Sequence, residues 1–175
     1  EIHCRMGDHI ALRRLLLKAG AECGIREFGF NALLSLRLEK GFGIWSAEFT
    51  QGYTPGMTGM DRWIDWEKEQ FIGQAAAIKE RDGNGPAQKL VMLEIDADDA
   101  DASGYEPVWN NDSLVGFVTS GGYGHTLKKS LAMALVNNDL ANENQRLKVH
   151  VVGVEKDATV IQASPYDPEG KVMRV

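Results

Sequence analysis

The chain has 175 residues, of which 43% are hydrophobic and 25% charged, with a formal net charge of -6. This length suits one domain, or one small domain with part of a second, and the mix is that of a globular protein with enough apolar surface for a core. The acidic balance argues against nucleic acid and anionic membrane as partners, since both demand a basic face. No apolar run approaches the ~20 residues of a membrane-spanning helix, and no signal peptide opens the chain. Cys4 and Cys23 are the only cysteines and form no CxxC pair, so neither a disulfide framework nor a zinc site is expected, which fits a reducing compartment. Residue 1 is Glu, and Glu1-Ile2-His3-Cys4 reads as the middle of a strand. A piece of a longer protein is therefore expected.

Asp8 follows as a helix N-cap candidate, because its carboxylate can accept from the unpaired N–H groups of a first turn. Leu12, Leu15, Leu16 and Ala19 then recur at helical spacing, with Arg13, Arg14 and Lys18 on the other side, and Gly20 or Gly24 ends the segment. A second helix is expected from Phe28 to Glu39, on the rhythm of Phe30, Leu33, Leu34 and Leu38, stopped by Gly41-Phe42-Gly43. Residues 41–60 hold no sustained period and read as a long ordered loop. A third helix is expected from Phe71 to Arg81, ended by Asp82-Gly83-Asn84-Gly85-Pro86. Beyond Pro86 the pattern changes to short β-type segments at 90–95, 114–119, 130–136, 147–152 and 158–162. Their connections are too short for crossover helices, which implies an antiparallel sheet closed into a small barrel or a sandwich. The expected fold class is α+β, with an α-rich part at 1–85 and a β part at 86–175.

Four constellations bear on chemistry. Arg37 and Glu39 stand in an otherwise apolar helix end. Arg37 offers a planar donor fork for a carboxylate or a heterocycle edge, although an ordinary surface pair near a helix end is the blander reading. Thr119-Ser120-Gly121-Gly122-Tyr123-Gly124-His125 follows a strand without an evident helix after it, so a glycine-rich hairpin connection is preferred over a phosphate loop. The acidic run Asp96 to Gly104 matches the start of a calcium loop, but Asn110 falls where a bidentate Glu is needed, so a solvated loop is the better reading. His3, His9, His125 and His150 are dispersed, and nothing recommends a catalytic triad or a metal site among them. The sequon Asn111-Asp112-Ser113 carries no meaning in a reducing compartment.

Several motifs, in register along the whole chain, resemble the glycine-cleavage T-protein (aminomethyltransferase) superfamily. They are Glu1-Ile2-His3, Gly29-Phe30-Asn31-Ala32 leading to Ser35-Leu36-Arg37-Leu38-Glu39-Lys40-Gly41, and Phe71-Ile72-Gly73-Gln74-Ala75-Ala76. In the β part, Gly104 to Val108, Val115 to Gly124 and Ser130 to Val136 are similar to the superfamily's C-terminal barrel. Arg37 to Phe42 with Trp45, the Tyr123-Gly124-His125 form of the glycine run, and the tail from Pro165 to Arg174 look closer to the folate tail of dimethylglycine and sarcosine dehydrogenases.

The resemblance implies part of a folate-binding domain at 1–85 and the C-terminal β-barrel at 86–175. It implies tetrahydrofolate as cofactor, with FAD in a separate N-terminal domain if the parent is dehydrogenase-like, and a small N-methyl or aminomethyl substrate. Glu1 and Arg37 are the implied folate-binding residues, with Trp45, Tyr123 and His125 as further lining. The superfamily's catalytic Asp lies upstream of Glu1, so no catalytic residue is assigned here and the isolated chain is expected to lack turnover. The alternatives are a noncatalytic barrel that braces a partner domain, and a folate-dependent demethylase of a sulfonium or methoxy donor. A bacterial cytoplasm, or a mitochondrial matrix in a eukaryote, is the expected location. Self-association of the isolated chain is expected as well.

Overall fold

The computed structural model describes residues 2–174. The chain divides into two compact units, Glu1–Leu33 and Leu34–Val175.

In the first unit a 3-10 turn at Met6–Asp8 leads into helix α1 (His9–Ala19), followed by a second 3-10 turn at Ala21–Cys23. The expected opening strand is not present over residues 2–5, since a strand needs a neighbour to take its backbone hydrogen bonds. Asp8 does precede α1 but makes no side-chain cap bond, because the 3-10 turn has already wound its backbone into the helical region. Gly20, one of the two glycines the sequence offered as the stop, ends α1. Its N–H donates to the Leu16 carbonyl, and a Cβ there would lie 2.8 Å from Ile25 Cβ. Arg13 grips Glu27 with two hydrogen bonds of 2.6 Å, and these hold the Glu27 carboxyl below its usual carboxylate range.

The apolar stripe of α1 is real in sequence, but none of its residues is fully buried: Leu15 is 62% exposed, as is neighbouring Ile10. Such a face in water favours association. Light scattering on the isolated chain should therefore report a species larger than a monomer, and Ile10→Ser with Leu15→Ser should shift it toward monomer. A clean monomer before substitution would remove this expectation.

The second unit is built around a closed six-strand antiparallel barrel. Its strands are β1 (Gln88–Ile95), β2 (Pro107–Asn110), β3 (Ser113–Gly124), β4 (Lys129–Asn137), β5 (Arg146–Val151) and β6 (Val154–Ile161), in spatial order β1-β4-β3-β2-β5-β6. Alternation decides the core. Val91, Leu93 and Ile95 of β1 point inward, as do Ala132, Ala134 and Val136 of β4, and they meet Val108, Val149 and Val160 in one buried cluster. The opposite face of β1 and β4 is also apolar. Met92, Leu131 and Met133 form a second cluster with Leu38 of helix α2 (Phe30–Lys40) outside the barrel wall. β4 is therefore buried on both faces and reads as a continuous apolar run.

Three sequence expectations shift. Strand β2 was not expected; it is four residues long and opens with a proline. Segment 41–60 is not wholly irregular: it contains the short helix α3 (Pro55–Thr58), begun by Thr54, whose hydroxyl accepts from the Met57 N–H. Helix α4 (Gln74–Asp82) starts three residues later than Phe71, after Gly73 at φ 86°. Among the described residues no helix is long and apolar enough to cross a membrane.

Candidate functional site

The C-terminal half of α2 carries the residues that the sequence singles out, and each finds a different partner. Arg37 does not pair with Glu39. Residues two apart on a helix do not face each other, and Arg37 turns instead toward segment 41–60 and the barrel. Its Nη1 donates to Glu48 Oε2 at 3.1 Å and to the Phe42 carbonyl at 3.3 Å, and lies 3.8 Å from Met133 Sδ. The Arg37 side chain is 10% exposed and that of Glu48 fully buried. Glu48 has three further partners: the Ile44 N–H at 2.9 Å, the Thr119 hydroxyl at 2.7 Å, and the Ser120 hydroxyl. A buried carboxylate persists only when its lone pairs are met in this way.

The two hydroxyls reach one carboxylate because β3 is bulged. Pairing with β4 runs Val118↔Ala134 and then Ser120↔Met133, which leaves Thr119 as the extra residue. Successive side chains of a regular strand point to opposite faces, and a bulge breaks that alternation. Thr119 and Ser120 thus both meet Glu48.

The glycine run that follows is strand rather than hairpin, since β3 continues to Gly124. Its glycines answer to packing. A Cβ on Gly121 would lie 2.2 Å from the Ala102 carbonyl oxygen, and one on Gly124 would lie 3.0 Å from Glu39 Cγ. Glu39, itself buried, uses Oε1 to accept from the Thr126 and Leu127 N–H groups at 2.7 and 2.8 Å. Ser35 Oγ donates to the Tyr123 carbonyl at 2.7 Å. The β3–β4 turn is therefore clamped by α2 from two sides, which holds Tyr123 and His125 edge-to-face with centroids 5.2 Å apart. Both rings remain exposed.

The end of α2 is strapped by the C-terminal tail. The Tyr166 N–H donates to the Glu39 carbonyl, and Lys40 reaches the Asp167 carbonyl and its carboxylate. Gly41, at φ 73°, has the Ala163 carbonyl oxygen where a Cβ would sit, so glycine is required both by conformation and by space.

Of the residues the resemblance points to, Glu1 lies outside the described residues. Arg37 joins Glu48, Thr119 and Ser120 in one buried network. Tyr123 and His125 stand together on the clamped turn. Trp45 is 84% exposed, its ring edge-on to Phe49 with centroids 6.2 Å apart. Glu48 was missed by sequence reasoning. One signal pointed its way: Arg37 sits in an apolar helix end and cannot use Glu39, so an acid from elsewhere is needed. The acidic run 96–104 is irregular, and among the described residues no cluster of His, Cys, Asp or Glu can hold a metal ion. Cys4 and Cys23 are free and exposed.

A closed barrel with an outer apolar face capped by one helix end, fixed by a buried arginine–carboxylate network, defines an α+β protein of the class the motifs suggested. The model of the glycine cleavage T-protein C-terminal barrel domain matches residues 88–167, and that of the T-protein N-terminal domain matches residues 1–68. The chain belongs to the glycine-cleavage T-protein superfamily. It is 36% identical over 163 residues to human mitochondrial dimethylglycine dehydrogenase, covering 93% of this chain and 19% of the relative. It is 32% identical over 172 residues to the aminomethyltransferase of Geobacillus sp., covering 98% of this chain and 46% of the relative. Among solved structures, the glycine cleavage system aminomethyltransferase T from Bartonella henselae shares the fold with a TM-score of 0.81, at 24% identity, over 90% of this chain and 44% of that one. The chain thus spans about a fifth of the dehydrogenase and just under half of the transferases.

Proposed function

We propose that the chain is the folate-side C-terminal part of a protein that passes a one-carbon unit from a small N-methyl or aminomethyl compound to tetrahydrofolate. The observation that carries this reading is family membership over both parts of the chain, with greater identity to dimethylglycine dehydrogenase than to the aminomethyltransferases named above. On that ground the parent is dehydrogenase-like, with FAD in a separate domain, and works in a reducing compartment such as the mitochondrial matrix or a bacterial cytoplasm.

The side chains present fit a folate wall in a specific way. Bound tetrahydrofolate supplies the ring nitrogen that accepts the carbon. The protein supplies orientation and electrostatics. Trp45, Tyr123 and His125 offer exposed ring surfaces, which suit a flat heterocycle or a benzoyl group. Glu39 and Ser35 hold two of those rings in place through the β3–β4 turn. Arg37 offers the ligand little area, because Glu48 and the Phe42 carbonyl occupy its Nη1 and its Nε is buried. Its larger contribution is to pin segment 41–60, which carries Trp45, against the barrel.

The test is calorimetric titration of the full-length gene product with 5-formyltetrahydrofolate, a stable analogue. Trp45→Ala and His125→Ala remove exposed rings and should each weaken binding about tenfold, equivalent to about 1.4 kcal/mol. Arg37→Ala should weaken binding as well, by releasing segment 41–60 and with it Trp45. Unchanged affinity in all three would sink the assignment of this wall. A full-length product without a flavin absorption spectrum would favour a plain transferase, or a demethylase of another donor, over the dehydrogenase branch.

A further inference from the structure

At the end of the barrel where β1 finishes and β4 begins lies a polar cavity of about 740 Å³, within the range of roughly 300–1,000 Å³ typical of small-molecule sites. Ser130 lines it. This residue has the inward parity of Ala132 and Ala134, is only 4% exposed, and its Oγ has no hydrogen-bond partner. A buried hydroxyl left unpaired opposes folding unless something binds it.

Five charged side chains line the same cavity: Asp96 and Asp98 just after β1, Asp157 on β6, Lys128 in the β3–β4 turn and Arg146 at the start of β5. Glu94 and Lys129 also line it but satisfy each other at 2.6 Å. None of the five has an ion-pair contact with another described residue, although Asp157 lies in the field of Lys148, opposite it on β5. The carboxylates disfavour a simple anion, the two cations disfavour a simple cation, and the acids do not converge as metal ligands. Only a ligand with both signs of charge meets all five, and a polar atom on it would complete Ser130.

We propose that this cavity, whose rim includes Tyr123, is a binding site for a small zwitterion of the amino-acid class, argued independently of the folate reading. Its ammonium is met by the aspartates, its carboxylate by Arg146 and Lys128, and the hydroxyl of Ser130 bonds a polar atom of the ligand.

The experiment is calorimetric titration of the full-length protein with L-serine, with acetate and methylamine as single-charge controls, together with hydrogen exchange over residues 128–131. L-serine should bind at least tenfold more tightly than either control and slow exchange in that segment. Ser130→Ala and Arg146→Gln should each weaken it about tenfold while leaving 5-formyltetrahydrofolate binding and the melting temperature near wild type. Absence of heat and protection would overturn the proposal. So would acetate or methylamine binding equally well, which would mean a plain charged patch. Serine binding that ignores both substitutions would place it elsewhere on the protein and equally overturn the site.

Discussion

Glu48→Ala should destabilise the protein by about 3–5 kcal/mol, the usual cost of removing one partner from a buried ion pair. The reason is what the substitution leaves behind. Arg37, nine-tenths buried on its side chain, loses its only ion-pair partner among the described residues. The Ile44 N–H and the hydroxyls of Thr119 and Ser120 lose their shared acceptor at the same moment. For a chain of this size each kcal/mol lowers the melting temperature by about 2–4 °C, so the loss should be plain in a thermal or urea melt. Glu48→Gln, which keeps an acceptor in place, should cost less. Replacing both partners with apolar residues of similar volume, as in Arg37→Met with Glu48→Leu, should recover only the part of the loss due to the unpaired Arg37 charge, because the Ile44 N–H and the Thr119 and Ser120 hydroxyls still lack their shared acceptor. If Glu48→Ala costs under about 1 kcal/mol, in the range of exposed pairs, the buried network is not as described.

The second large effect is expected at Gly121. Overpacking a core costs about 1–3 kcal/mol, and more where backbone must move. Gly121→Ala belongs at the upper end, since the new methyl meets the Ala102 carbonyl oxygen at 2.2 Å and its carbon at 2.7 Å. Neither atom can rotate away as a side-chain tip would. Because Gly121 sits one residue past the Thr119–Ser120 step, the substitution should also disturb the hydroxyls on Glu48. Gly29→Ala makes the control: a Cβ there has nothing within 4 Å, and stability should change little. Equal melts for the two variants would show that the glycine run is not held by close packing.

The barrel was legible in advance because its signals are local. Leu90 to Ile95 and Ser130 to Val136 are apolar enough to read as strands by themselves, and the short spacings between segments leave antiparallel neighbours as the economical connection. Strand β2 escaped for the complementary reason. Pro107 to Asn110 is short, and its place is set by β3 and β5, which pair with it on either side. The glycine run misled because glycine signals a turn when read locally. Here Gly121 and Gly124 are small because a carbonyl and a carboxylate-bearing side chain press on them across the fold.

The sequence by itself determined the α+β class, the sign and spread of charge, the helix ends at Gly20 and Gly41, and the motifs that place the chain in its superfamily. All of these rest on periodicity, composition or residues adjacent along the chain. Only the tertiary structure decided which acid Arg37 would hold. Glu39 stands two residues away and serves the β3–β4 turn, while Glu48 is drawn from the aperiodic segment and matched to hydroxyls 71 and 72 residues further on. No spacing rule encodes that meeting. It depends on a strand bulge at Thr119 and on a helix end seated against the barrel wall, and neither exists until the barrel has closed.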